Sequence, residues 1–189
     1  MLLALLRDPR FYAMKLRMDR VLLEEMRSRA CRKCGNALHV SDFERKPRGG
    51  PAGLGEEADI RFSLCCAECR KRHTPPSLRF LGRKVYLSAV VVVVSAMRHG
   101  ATPSRMRKLR GFFGVSHRTV ERWRAWWREA FAESSFWRAA VAAFMPPVER
   151  AFLPTSLLKR FAGDVEAQLV ALLCFLGPIT GGPGLAQTP

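Results

Sequence analysis

The sequence is short of acid. It sets 16 aspartates and glutamates against 32 lysines and arginines, a formal net charge of +16 over 189 residues. The shortage is local. Residues 61–128 hold sixteen basic residues and two acids, Glu68 and Glu121, so this stretch carries almost all of the excess. Charge placed only for solubility would be spread out. A concentrated basic block points to a polyanionic partner, nucleic acid first and acidic lipid second. Long apolar runs are also missing. The longest, Leu87–Met97, covers eleven residues, about half of the ~20 that a membrane-spanning helix needs. The opening "MLLALL" lacks a basic flank and runs into Arg7-Asp8-Pro9, so no secretory signal is seen and the expected location is cytoplasmic, nucleoid-associated if the partner is DNA. No H-E-x-x-H, nucleophile elbow or Ser-His-Asp arrangement is present, and the expectation is a protein without catalytic activity. The loop "PRGGPAGLGEEA" lacks the Lys-Ser/Thr pair of a phosphate-binding loop. The chain has no internal repeat.

What is present begins with six cysteines, four of them in two-residue-spaced pairs: Cys31-x2-Cys34-Gly and Cys66-x2-Cys69. Such a pair can set two thiolates on one turn with backbone N–H groups aimed at sulfur. Two turns together make a tetrahedral four-sulfur site suited to Zn2+. Four thiolates leave no position for water, so the expected role is structural, with the metal supplying folding energy to a module of few core residues. Cys65 is an alternative to Cys66, because adjacent strand residues face opposite sides and only one can point at the metal. His73 is a more distant substitute. Cys174, within "LVALLCFL", reads as core.

Periodicity supplies most of the elements. Asp8-Pro9 starts a helix over 9–28, with Phe11, Met14, Met18, Leu22 and Met26 on its apolar face and a possible homodimer seam along it. The segments "ALHVSDFERK", "DIRFSLCC" and "PSLRFL" read as short strands. "GRKVYLSAVVVVVSAMRHG" has strand propensity, but its length and its Arg98-His99-Gly100 ending predict a buried helix over 83–99. Thr102-Pro103 opens a further helix, on which Met106, Leu109 and Phe113 share a face. Ser134 or Ser135 opens "FWRAAVAAFM", which Pro146-Pro147 stops. Short helices are expected near 155–162 and 164–176, and a disordered tail from 178 onward.

The stretch "GVSHRTVERWRAWWREAF" carries three tryptophans and four arginines. On a helix over 116–131, Val120, Trp123, Trp127, Ala130 and Phe131 fall on one side. His117, Arg118, Glu121, Arg122, Ala125 and Glu129 fall on the other. The apolar side anchors the helix. The first turns of the polar side present arginine, which suits guanine edges and phosphate.

With "RMRKLRGFFGVS" before it, this segment resembles the helix-turn-helix of resolvases, transposases and many bacterial repressors. Gly114, Val115, Ser116 and Val120 fall in the expected order, whereas Arg110 stands where the family commonly has a small residue. The resemblance implies that Ser116, His117, Arg118, Glu121 and Arg122 face bases in the major groove, and that Arg105, Arg107, Lys108 and Arg124 hold phosphates. The order of parts over roughly 31–131 is similar to the N-terminal region of insertion-sequence transposases, where a four-cysteine ribbon precedes a helix-turn-helix that binds element ends. Their ribonuclease-H-like catalytic domain has no counterpart here: the 58 residues after 131 hold four acids and read as helical. The expected fold is mainly α with a small β zinc ribbon, a helix-turn-helix three-helix core and C-terminal helices. The expected parts are 1–30, 31–81, 82–131, 132–177 and 178–189. The expected function is sequence-specific binding of double-stranded DNA, of mobile-element type, alongside a separately encoded recombinase. The alternatives are a transcriptional repressor and a zinc-ribbon RNA-binding protein.

Overall fold

Asp8 and Pro9 start the first long helix by their chemistry. The Asp8 carboxylate accepts the Arg10 backbone N–H at 2.9 Å, and proline occupies the first turn, where no N–H is needed. The computed structural model describes residues 2–82, 84–97 and 102–181. A short helix, α1 (Leu2–Leu5), precedes α2 (Pro9–Ser28). The bounds of α2 match the sequence reading, but its buried face does not. Phe11, Tyr12, Lys15, Asp19 and Leu23 are buried, whereas Met14, Met18, Leu22 and Met26 are half-buried. The helix is turned so that two charged side chains lie at the centre of its inner face.

Five short strands follow: β1 (Leu38–Val40), β2 (Phe43–Glu44), β3 (Ile60–Arg61), β4 (Leu64–Cys66) and β5 (Arg72–His73). An antiparallel sheet of order β1-β4-β5 sets Leu38 opposite Cys66 and Leu64 opposite His73. β2 and β3 form a separate antiparallel pair. The predicted strand "PSLRFL" is not one; apart from a single bridge from Phe80 to Leu87, it is held by side chains. The buried Asp19 carboxylate accepts the Ser77 hydroxyl and the Leu78 N–H, both at 2.6 Å, and Arg79 Nε at 2.8 Å. Arg79 donates onward to the carbonyls of Glu57 and Ile60, each at 2.9 Å. A segment whose polar groups are satisfied by a buried ion pair needs no ladder.

The valine run forms α3 (Ser88–Ser95), with all eight residues buried. The helical reading of this run holds, because burial on every side outweighs β-propensity. The helix starts later than predicted, since Tyr86 and Leu87 are engaged in bridges to Arg48 and Phe80. Arg83 and the predicted ending Arg98-His99-Gly100 lie outside the described residues. Next come α4 (Pro103–Phe113), capped by Thr102, and α5 (His117–Trp126), capped by Ser116. A π-helical turn over Trp127–Phe131 extends α5. Its wider winding shifts the register, so Ala130, predicted on the buried side, is exposed, and Ala132 is buried instead.

Ser134 caps α6 (Ser135–Ala140) by accepting the Trp137 N–H at 3.1 Å. α7 (Thr155–Leu158) is shorter than predicted, and α8 (Val165–Phe175) is capped by Asp164. Cys174 is exposed, contrary to the core reading: α8 buries Leu169, Leu172 and Leu173 instead. The predicted disordered tail also begins too early. Gly177–Thr180 form a 3-10 turn, and Thr180 is buried with its Oγ1 accepting the Ser77 N–H at 2.6 Å. Residues 182–189 of that tail lie outside the described residues.

The molecule is therefore mainly helical with small antiparallel sheets. α3 lies against both α5 and α8, in a large core that reaches from Leu6 to Ile179. A second, smaller core lies under the three-stranded sheet: Leu23, Cys31, Leu38, Phe62, Leu64 and Cys66. α2 serves both, through Phe11 and Tyr12 at one end and Leu23 at the other. Among the described residues no helix is long and apolar enough to cross a membrane.

Candidate metal centre and candidate nucleic-acid interface

Sheet register brings the cysteine pairs together. β1 follows the Cys31–Cys34 turn, β4 ends in Cys66, and the β1–β4 ladder sets Leu38 beside Cys66. The two turns repeat one another. The Cys31 N–H donates to the Asn36 carbonyl at 2.9 Å, and the Cys66 N–H donates to the Lys71 carbonyl at 3.0 Å. Each turn places a left-handed residue directly after its second cysteine: Gly35 at φ +74° and Arg70 at φ +56°. The sulfurs of Cys31, Cys34, Cys66 and Cys69 all lie within 4.8 Å of one another, with Cys34–Cys66 at 3.4 Å and Cys31–Cys69 at 3.6 Å. A tetrahedron with Zn–S bonds of about 2.3 Å has S–S edges of about 3.8 Å, so the spacing is compatible with a bound metal ion.

The choice between Cys65 and Cys66 follows from the pleat. Cys66 is buried in the cluster, whereas the Cys65 thiol lies 3.4 Å from the Arg70 carbonyl. His73 Nε2 is 3.3 Å from the Cys31 sulfur, placed to donate a hydrogen bond to a thiolate there. Backbone donors favour ionised sulfur at two positions. The Asn36 N–H, and then the Cys66 thiol, lower the Cys34 pKa to about 6. Cys31 is lowered as well: desolvation opposes this, but the Lys33 and Cys34 N–H groups prevail. At Cys69 the Lys71 N–H acts in the same lowering sense, yet desolvation and the surrounding sulfurs push the thiol up to about 11. Four thiols this close cannot all ionise without a cation between them.

The second constellation lies on α4 and α5. α4 ends in Gly114, left-handed at φ +64°, and Val115 is buried beyond it. Ser116 Oγ accepts the Thr119 N–H at 3.3 Å and starts α5. The Tyr86 hydroxyl donates to the Gly114 carbonyl at 2.8 Å, and its ring meets Trp123 edge-on at 5.0 Å, so the turn is tied to the core. Val120, Trp123 and Trp127 face inward. Ser116, His117, Arg118, Glu121 and Arg122 are exposed together on the outer face of α5, and Arg107 and Lys108 are exposed on α4. Arg105 is half-buried. Arg124 is committed inward, with Nη2 donating to the Met97 carbonyl at 2.9 Å and Nη1 3.5 Å from Glu121. Its role is to hold α5 to the end of α3. Sequence reasoning missed Lys84, whose ammonium lies 3.9 Å above the Trp126 ring. Burial, together with the nearby Arg122 charge, lowers its pKa to about 8. No helical period marks Lys84, because it enters this face from a separate segment.

Comparison with family models, with curated proteins and with solved structures finds no match to this chain.

Proposed function

We propose that this protein binds double-stranded DNA in a sequence-dependent manner, with α4 and α5 acting as a helix-turn-helix and α5 entering the major groove. One observation carries the reading: a core-anchored, side-chain-capped helix presents His117, Arg118, Glu121 and Arg122 outward as a group. Arginine at such positions reads guanine edges by paired hydrogen bonds, and the basic face of α4 supplies phosphate contacts. Buried tryptophans favour a groove-reading helix over a stacking platform for single strands. In the same reading, the four-cysteine cluster holds a structural Zn2+ and its hairpins form a zinc ribbon; the donor set, all sulfur, suits that ion. The order of cysteine hairpins, central helix and helix pair supports a mobile-element role, marking element ends for a separately encoded recombinase, over a promoter-binding repressor.

Selection of bound duplexes from a random DNA library at near-physiological salt tests the reading. The expected result is a recovered motif. In quantitative binding, Arg118→Ala or Arg122→Ala costs about 1–3 kcal/mol on that motif and relaxes its preference. Recovery of no motif, or equal losses on all sequences for both variants, overturns the assignment of α5.

A further inference from the structure

The cysteine hairpins border a cleft of about 880 Å³, whose lining comes from Met26, the Arg32-Lys33 pair, the segment that starts at Lys71, and Pro178 and Gly181. Its charged lining is of one sign. Arg32 and Lys33 come from between Cys31 and Cys34, Lys71 follows Cys69, and His73 stands beside them. No carboxylate lines it. Among the described residues, Arg32, Lys33 and Lys71 have no ion pair. The Arg72 guanidinium, by contrast, is tied to the Ser41 carbonyl at 2.6 Å and to Ser63 Oγ at 2.8 Å.

The cleft is built, not an accident of surface side chains. Its far wall is the C-terminal turn, and this wall is fixed to the near one from within. Buried Arg61 donates through Nη2 both to the Pro75 carbonyl at 2.5 Å and to the Thr180 carbonyl at 3.0 Å. Gly181 lies so close to residues 74–76 that a Cβ there would stand 2.7 Å from the Thr74 carbonyl oxygen. The turn at Gly177–Thr180 is therefore fixed against residues 74–76, and Arg32, Lys33 and Lys71 line the same cleft without an ion pair. A concave surface of one charge focuses its potential into the cleft and favours a polyanion over scattered small ions.

We propose that this cleft is a second nucleic-acid contact, which grips the phosphodiester backbone of the molecule that α5 reads. The contact rests on the nucleic-acid reading but on none of the residues of α4 or α5. Phosphate groups fit because the donors are ammonium and guanidinium groups that line one cleft without a competing carboxylate. The cysteine turns set the spacing of those donors, so a metal held there would organise a binding surface as well as a fold.

The test uses the full-length, zinc-loaded protein and the triple variant Arg32→Ser/Lys33→Ser/Lys71→Ser. Binding is titrated against salt on a mixed-sequence 30-base-pair duplex, and in parallel on a hairpin RNA. Metal content and circular dichroism are compared with the parent. The logarithmic salt slope of the triple variant should fall by about 2–3 units on the duplex, near 0.9 per phosphate no longer neutralised, with the sequence preference of the protein intact. An unchanged slope and affinity on both probes overturns the proposal. Loss confined to the hairpin overturns it as well, because the cleft would then grip RNA and not the duplex that α5 reads. If the triple variant loses its metal, the single changes Arg32→Glu and Lys71→Glu carry the same test. Failure of the α5 reading remains distinguishable: Arg118→Ala would then leave binding intact while the cleft variant still lowers the slope.

Discussion

Lys15 carries an ammonium into the core, where among the described residues its Nζ has no hydrogen-bond acceptor. The rings of Phe11 and Tyr12 lie 4.6 and 4.2 Å from it, and their faces offer the charge its nearest compensation. Burial is the largest influence and lowers its pKa to about 7 from 10.5; Asp19 pulls it up and Arg79 pushes it down. Between those two values the unfolded chain binds more protons than the folded one. Stability therefore rises with pH through that window, by at most about 1.4 kcal/mol per pH unit. Below it both states are protonated, and the destabilisation is constant and at its greatest. Lys15→Met should stabilise the protein at pH 7 and flatten the rise between pH 7 and 10, as measured by denaturant titration at several pH values. Any slope left in the variant belongs to groups such as Lys84, lowered in the same sense. A parent protein whose stability is level across the window would mean that the folded lysine keeps its ordinary pKa. Nothing in the sequence marks this residue. Lys15 stands within the apolar arc of α2, between Leu22 and Met26, and Asp19 at its edge, but a charged residue there is ordinarily expected to reach water, and only their burial reveals them.

At the scale of elements, the two cysteine turns share one backbone design with different residues at its most demanding position. Gly35 takes the left-handed conformation without a Cβ, whereas Arg70 takes it with one, at φ +56°. Arg70→Gly should relieve that strain. Because glycine also gains freedom in the unfolded chain, the net stabilisation should be about 0.5–1 kcal/mol, read as a higher unfolding midpoint of the metal-loaded protein. A lower midpoint would show that the Arg70 side chain contributes more than its backbone costs. The repeat of Cys-x2-Cys was legible in the sequence, as were the caps at Asp8, Thr102, Ser116 and Ser134, because each is a local chemical requirement. The π-helical turn at Trp127–Phe131 was not. It is set by the packing of Trp127 and Phe131, whose ring centroids lie 4.8 Å apart inside the core.

At the scale of the whole molecule, two cores meet along α2 and the Asp19–Arg79 ion pair. The smaller core holds few side chains apart from its cysteines, so a metal would supply much of its cohesion. The larger core, with α3 at its centre, contains no ligand of that site. Chelation, or Cys34→Ser, should therefore expose the amides of β1 and β4 to hydrogen exchange while those of α3 stay protected. Simultaneous loss of protection in both would mean that the ion pair couples the two cores into one cooperative unit. Full protection of both would mean that the cysteine site is not needed for the fold.

The sequence by itself determined where α2, α4 and α5 begin, that two Cys-x2-Cys turns could share a metal, and which face of α5 looks outward. Each of these depends on residues within a turn or two of one another, and local chemistry decides them. Only the tertiary structure decided that Lys15, Asp19, Arg61 and Arg79 are interior, that "PSLRFL" is held by a carboxylate rather than by a ladder, and that Arg32, Lys33 and Lys71 line one cleft. Those outcomes depend on which distant segments come to lie together, as Asp19 does with Ser77 and Arg61 with Thr180. A charged residue is written identically whether water or a buried partner satisfies it, and only the folded chain brings the partner.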